Sequence, residues 1–174
     1  MEDSIKVVLI SDIHCTGRSR LSFSRLAGEV RPTQEIVREL EDVLCGPARE
    51  ADWLLFAGDF TDNGAPSQYE PVIQAIDRHG PGPERTCVIP GNHDTANFNN
   101  MASWHARSRR FKKYLAAYLP GGDARVSSPQ YFPYTRKLAD GFSLIGLDST
   151  LKNTALGRIG PRQLEALDHF LSSH

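Results

Sequence analysis

The stretch Val7-Val8-Leu9-Ile10-Ser11-Asp12-Ile13-His14 decides the fold. It opens with an apolar, β-branched run the length of one buried strand, then breaks into a carboxylate and an imidazole two residues apart. The same construction recurs twice: Trp53-Leu54-Leu55-Phe56 leads into Gly58-Asp59, and Cys87-Val88-Ile89 into Gly91-Asn92-His93-Asp94. Helical patterns separate the three runs. From Thr33 to Leu44, Ile36, Val37, Leu40, Val43 and Leu44 share one face, and Gly46-Pro47 is the stop. From Ala65 to His79, Tyr69, Val72, Ile73 and Ile76 recur at helical spacing, with Pro71 near the start and Gly80 at the end. Strands alternating with helices predict a parallel sheet with right-handed crossovers, and open α/β sheets hold ligands beyond the carboxyl ends of their strands. Three such ends would line one edge with carboxylate, imidazole and amide donors, which suit Mn, Fe, Zn or Co better than a thiolate-seeking ion.

The second half reads differently. Met101 to Leu119 predicts a helix with Trp104, Phe111, Leu115 and Tyr118 on one stripe and Arg107, Arg109, Arg110, Lys112 and Lys113 around the rest. Those cations form either a solvated face or a cap that steers an anionic substrate over the metal site. Gly121-Gly122-Asp123 breaks the chain, and Tyr131 to Lys137 with Phe142 to Leu147 predicts a hairpin turned at Asp140-Gly141. A last helix starts at Gly160-Pro161 and is expected to bury Leu164, Leu167, Phe170 and Leu171.

The 174 residues, 40% hydrophobic and 24% charged, suffice for one domain with a core and exclude a disordered or fibrous chain. With 20 Lys plus Arg against 21 Asp plus Glu, no net charge draws the protein to a nucleic-acid polymer. The start, Met1-Glu2-Asp3-Ser4-Ile5-Lys6, lacks the features of a signal peptide, and no apolar run reaches the ~20 residues of a membrane span. A cytoplasmic protein with no membrane partner is expected. Three cysteines without a C-x-x-C pair fit a reducing compartment. Cys15, although beside Asp12 and His14, reads as a small packed residue and stays outside the site.

In order, D-x-H (Asp12, His14), G-D-x-x-D-N-G (Gly58 to Gly64) and G-N-H-D (Gly91 to Asp94) resemble the calcineurin-like metallophosphoesterase superfamily. The likeness runs the length of the chain, through Leu147-Asp148-Ser149-Thr150 and the G-P-x-Q-L helix start. Asn63 stands where phosphoprotein phosphatases usually have arginine, so the chain looks closer to the phosphodiesterase branch that acts on cyclic nucleotides and glycerophosphodiesters. The resemblance implies a four-layer αββα sandwich and two divalent cations. It assigns Asp12 and His14 to the first metal, Asp59 as the bridge, and Asn92 to the second metal and to substrate. A metal-held hydroxide would attack phosphorus. His93 would contact substrate and protonate or stabilise the leaving oxygen, oriented by the Asp62 carboxylate, with Asp94 as the competing partner. His105 on the basic helix is a further candidate substrate contact.

The pattern also departs from the family. Complete members carry later histidines, two of them in a G-H-x-H turn, and this chain has neither turn nor comparable setting. His79 suits a helix C-terminus, where an imidazolium favours the dipole, and His169 and His174 belong to the final helix and tail. The chain therefore resembles part of the sandwich, a single domain over 1–174 lacking its C-terminal portion. Three explanations stand: an early stop, a second polypeptide that completes the site, or a shortened relative. The function expected is phosphodiester hydrolysis, and the alternative is a non-catalytic or partner-completed scaffold retaining a partial metal site. A nucleotide-binding Rossmann domain is disfavoured because no glycine-rich loop follows the first strand. A half-covered sheet would expose apolar surface, so self-association or a second chain is expected.

Overall fold

The computed structural model describes residues 4–16, 31–95, 101–119, 132–151 and 154–173, with backbone alone for 101–105. The chain opens with β1 (Val7–Ile10), α1 (Thr33–Cys45), β2 (Trp53–Ala57), α2 (Pro66–His79) and β3 (Thr86–Ile89). β1, β2 and β3 form a parallel sheet in that order. Val8 pairs with Leu54, and Leu54 with Thr86, so side chains two residues apart along each strand build the same face. One face carries Val8, Ile10, Leu54, Phe56 and Val88. The helices α1 and α2 pack on each other, as two crossovers of one hand require when strands follow in sequence.

The core grows from that face. Leu54, Phe56, Val88, Leu40, Leu44, Tyr69, Val72 and Ile76 are buried in one cluster. Each such side chain contributes roughly 1.5–3 kcal/mol on leaving water. The expected helix boundaries hold to within a residue for α1 and α2, and Pro71 is accommodated inside α2.

Beyond β3 come a single turn, α3 (Asn92–Thr95), then α4 (Met101–Tyr114), β4 (Tyr134–Ala139), β5 (Phe142–Gly146) and α5 (Pro161–Ser172). The basic helix is shorter than its periodicity predicts. It ends at Tyr114, and a 3₁₀ turn at Ala116–Tyr118 carries the rest of the stripe, with Phe111, Leu115 and Tyr118 buried. The hairpin turns at Asp140-Gly141, where Gly141 has φ 79°. It lies over the second face of the sheet, pinned by Trp53 Nε1 donating to the Leu138 carbonyl (3.1 Å) and Tyr134 hydroxyl donating to the Val88 carbonyl (3.0 Å). The break at 121–123 and the residue Tyr131 lie outside the described residues.

One expectation is not met in full. Helix α5 forms where its Gly160-Pro161 start predicts, but none of its residues is buried: Leu164 is 50% and Leu171 63% exposed, and Leu167 and Phe170 are half-buried. Periodicity registers that a helix has an apolar stripe, not that anything covers it. A polar tie holds the start of α5: Gln163 takes a hydrogen bond from Asp148 N (2.8 Å) and donates one to Asp148 O (2.6 Å). On the hairpin side of the sheet, Val7 (40%) and Leu9 (64%) are open as well. Exposed apolar surface is thus present, as the sequence leads one to expect.

Candidate metal centre

The three sheet-edge loops are held together before any ligand is considered. Past β1 the backbone stays paired with the segment past β2: Asp12 N donates to Gly58 O, His14 N to Asp59 O (2.9 Å), Cys15 N to Phe60 O and Asp62 N to Cys15 O. That pairing sets Asp12 and His14 against Asp59. Asp12 (φ 58°), His14 (φ 46°) and Asp59 (φ 53°) are the positive-φ non-glycine residues among those described. Such backbone costs of order 1 kcal/mol or more each and persists only where the surroundings enforce it, a pattern that concentrates at functional sites.

The glycines of the two later motifs are there for space. A Cβ on Gly58 (φ 91°) would fall 2.5 Å from Gly91 N, and one on Gly91 would fall 2.0 Å from Asp59 Oδ1. The loops after β2 and β3 touch backbone to backbone, which brings His93 N to Asp59 Oδ1 at 2.9 Å.

His14, Asp59 and His93 consequently offer ligand atoms all within 4.8 Å of one another. His14 Nε2 lies 3.5 Å from Asp12 Oδ1 and 3.8 Å from Asp59 Oδ2. Donors sharing a cation at ~2.1 Å stand about 3.0–3.4 Å apart, so His14 and Asp59 stand close to that spacing and the whole cluster would draw inward around a divalent ion. Asp12 also accepts a hydrogen bond from Ser11 Oγ. Asn92 begins α3 next to His93.

The sequence reading sets His93 apart from the ligands. In the structure its ring meets that of His14 edge-on, centroids 4.5 Å apart, inside the cluster. A bond that orients it joins Nδ1 to the main-chain carbonyl of Asp62 at 2.8 Å. A carbonyl only accepts, so Nδ1 carries the proton and, in the neutral ring, the lone pair is on Nε2.

Asp94, the competing candidate, is occupied elsewhere. Fully buried, it accepts from Thr61 N (3.1 Å), Thr61 Oγ1 (2.9 Å), Gly91 N (3.1 Å), Phe60 N (3.3 Å) and Tyr69 hydroxyl (3.3 Å), tying the second and third loops into one unit. Burial pushes its pKa up to about 6, against the hydrogen bonds from Gly91 and Thr61. Gln68, also fully buried, does similar work: its Oε1 accepts from Asn63 N and Ala65 N while Nε2 donates to Thr16 O. Neither role was legible beforehand, although a polar residue predicted on an apolar helix face, as Gln68 is beside Tyr69, marks such a clamp.

The basic helix passes this loop. Arg110 Nη1 donates to Gly64 O (3.3 Å), and Arg107 packs over Gly64, where desolvation lowers its pKa. The His105 side chain lies outside the described residues. Cys15 is buried. His79 ends α2, about 20 Å along the helix from its start near Gly64.

Among curated proteins, the 3',5'-cyclic adenosine monophosphate phosphodiesterase CpdA of Vibrio vulnificus (strain CMCP6) is 26% identical over 174 residues. The match takes in 99% of this chain and 52% of that relative, so the chain spans about half of the relative's length. The family model described as calcineurin-like phosphoesterase matches residues 5–170, nearly the whole chain, and this chain, with Asp12, His14, Asp59 and His93 on three loops at one sheet edge, belongs to the calcineurin-like phosphoesterases.

Proposed function

We propose that the chain forms the cation-anchoring part of a phosphodiesterase for cyclic nucleotides or other small phosphodiesters. The observation that carries this reading is the convergence of His14, Asp59 and His93, with Asp12 at its rim, on a sheet edge already bent to receive them. Divalent cations, when bound, supply Lewis acidity toward phosphoryl oxygens and a nucleophile drawn from water at neutral pH. Asp12 and His14 would hold one ion, Asp59 would lie between two, and Asn92 would serve the second ion and the substrate. The Asp62 carbonyl holds His93 Nδ1, so the ring exchanges protons at Nε2, the atom suited to meet the leaving oxygen. The cationic face of α4, beside the same loop, would favour an anionic substrate. The similarity to CpdA favours cyclic nucleotides within the phosphodiesters.

A partner-completed reading draws on the chain's span of half its relative. On that reading a second polypeptide stretch adds donors, and the chain alone binds one cation weakly and a second very poorly. Calorimetric titration with Mn²⁺ and Zn²⁺, paired with turnover of cyclic AMP, bis(p-nitrophenyl) phosphate and p-nitrophenyl phosphate, tests both. Cation binding with diesters preferred over the monoester is expected. Absence of any divalent binding would overturn the site.

A further inference from the structure

Far from the sheet edge, the C-terminal ends of α1 and α2 bring a second chemical group together. Cys45 Sγ, on the last residue of α1, lies 3.3 Å from His79 Nδ1, on the last residue of α2. On the other side of that ring, His79 Nε2 faces Glu41 Oε1 at 3.7 Å, and the same carboxylate oxygen pairs with Arg78 Nη1 at 2.9 Å. Cys45 is exposed, whereas Cys15 and Cys87 are buried. A thiol within hydrogen-bond reach of an imidazole, itself faced by a carboxylate, is the arrangement that activates a nucleophilic sulfur. The two imidazole nitrogens point to different partners, so the three groups do not chelate one ion, which leaves nucleophilic chemistry as the use this geometry suits.

We propose that Cys45 is a modification site for low-molecular-weight disulfides, with His79 as its proton acceptor and Glu41 as the group that orients His79. In the reaction the Cys45 proton passes to His79 Nδ1. The thiolate attacks one sulfur of the disulfide, the old S–S bond breaks as the Cys45 mixed disulfide forms, and the second sulfur leaves as a thiolate with the bonding pair. The small disulfide is the oxidant, and the proton on His79 is then available to that leaving thiolate. Nδ1 accepts only in the tautomer with hydrogen on Nε2, the one whose N–H points toward Glu41. The imidazolium formed transiently lies at the C-terminus of α2, where the helix dipole favours positive charge. The dipole at the end of α1 acts against the thiolate, so the imidazole is the feature that decides.

The test is exchange with oxidised glutathione at pH 7, read by peptide mass spectrometry on the native chain. At this pH an ordinary thiol is only a few per cent thiolate, so a base raises the rate by at most about thirtyfold. Cys45 should react roughly tenfold faster than N-acetylcysteine, with Cys15 and Cys87 unmodified until denaturant is added. His79→Gln should remove most of that advantage, and Glu41→Gln a smaller part. Should His79→Gln lose its native circular dichroism, the native rate against N-acetylcysteine and the Glu41→Gln variant decide. A Cys45 rate no higher than that of N-acetylcysteine, or one that a folded His79→Gln leaves unchanged, overturns the proposal.

Discussion

The two ends of this molecule are built on opposite plans. At the sheet edge, the loops after β1, β2 and β3 are cross-tied by main-chain pairing, by the buried Asp94 and by Gln68, and hardly an atom can be added. In the hairpin and α5, apolar side chains such as Phe142 (60% exposed) and Leu171 stand in water, and the ties are fewer: Trp53 and Tyr134 hold the hairpin, and the Gln163 amide joins α5 to Asp148. A site that must hold charged donors close together needs its supports over-determined. An arm that only covers does not, and it leaves apolar side chains such as Phe142, Leu164 and Leu171 exposed.

The strongest way to break that comparison is at Asp59. Asp59→Asn removes the charge that would lie between two cations while keeping an oxygen for the His93 N–H. Mn²⁺ affinity measured by calorimetry should fall by more than about a hundredfold, beyond the usual loss of an outer partner. His93→Ala should cost less than about tenfold in affinity but roughly 10² or more in turnover of diesters with poor leaving groups. Equal loss of affinity in the two variants would make His93 a ligand like His14, as its place in the cluster allows.

Two glycines sharpen the contrast without touching charge. Gly91→Ala puts a methyl against Asp59 and should cost about 3 kcal/mol in denaturant unfolding, the upper end of overpacking, and metal binding with it. Gly141→Ala meets nothing within 4 Å and has only its φ of 79° to bear, so about 1–2 kcal/mol is expected, with the site intact. Similar losses at both positions would mean that the sheet edge is no tighter than the hairpin.

Asp94 reports the same tightness through pH. Its carboxyl titrates near 6 in the fold against 3.8 for the free group, so the protonated form is favoured by folding. That contribution is fully present below pH 3.8 and is lost as pH rises through about 6. Asp94→Ala should abolish this part of the stability profile and leave the Thr61 and Gly91 amides without their acceptor, at about 2–3 kcal/mol near neutrality. Unfolding curves from pH 4 to pH 8 on both proteins check it.

The strands, their order and the loops bearing Asp12, His14, Asp59 and His93 were legible because apolar runs ending in Gly-Asp or Gly-Asn-His combine a local signal with a position. What escaped were relations across the chain. That His93 leans on a carbonyl, that Asp94 is a staple and that Gln68 clamps two loops depends on which backbone atoms meet after folding. The stripe on α5 misled for a related reason: Leu164, Leu167, Phe170 and Leu171 recur at helical spacing whether or not anything packs on them.

That last point carries the smallest expected effect and the most direct test of the arm. Leu40 on α1 is 5% exposed within the core cluster, and Leu40→Ala should destabilise the chain by about 2–5 kcal/mol through lost contacts and the cavity left behind. Leu171→Gln, on α5, replaces a side chain already 63% in water and should change stability by no more than about 0.5 kcal/mol. It should also reduce dye binding and any self-association seen by sedimentation, because it removes apolar surface without opening a hole. A loss at Leu171 comparable to that at Leu40 would show that in solution the stripe of α5 is covered, by a second copy of the chain if the effect depends on concentration and by the chain itself if it does not.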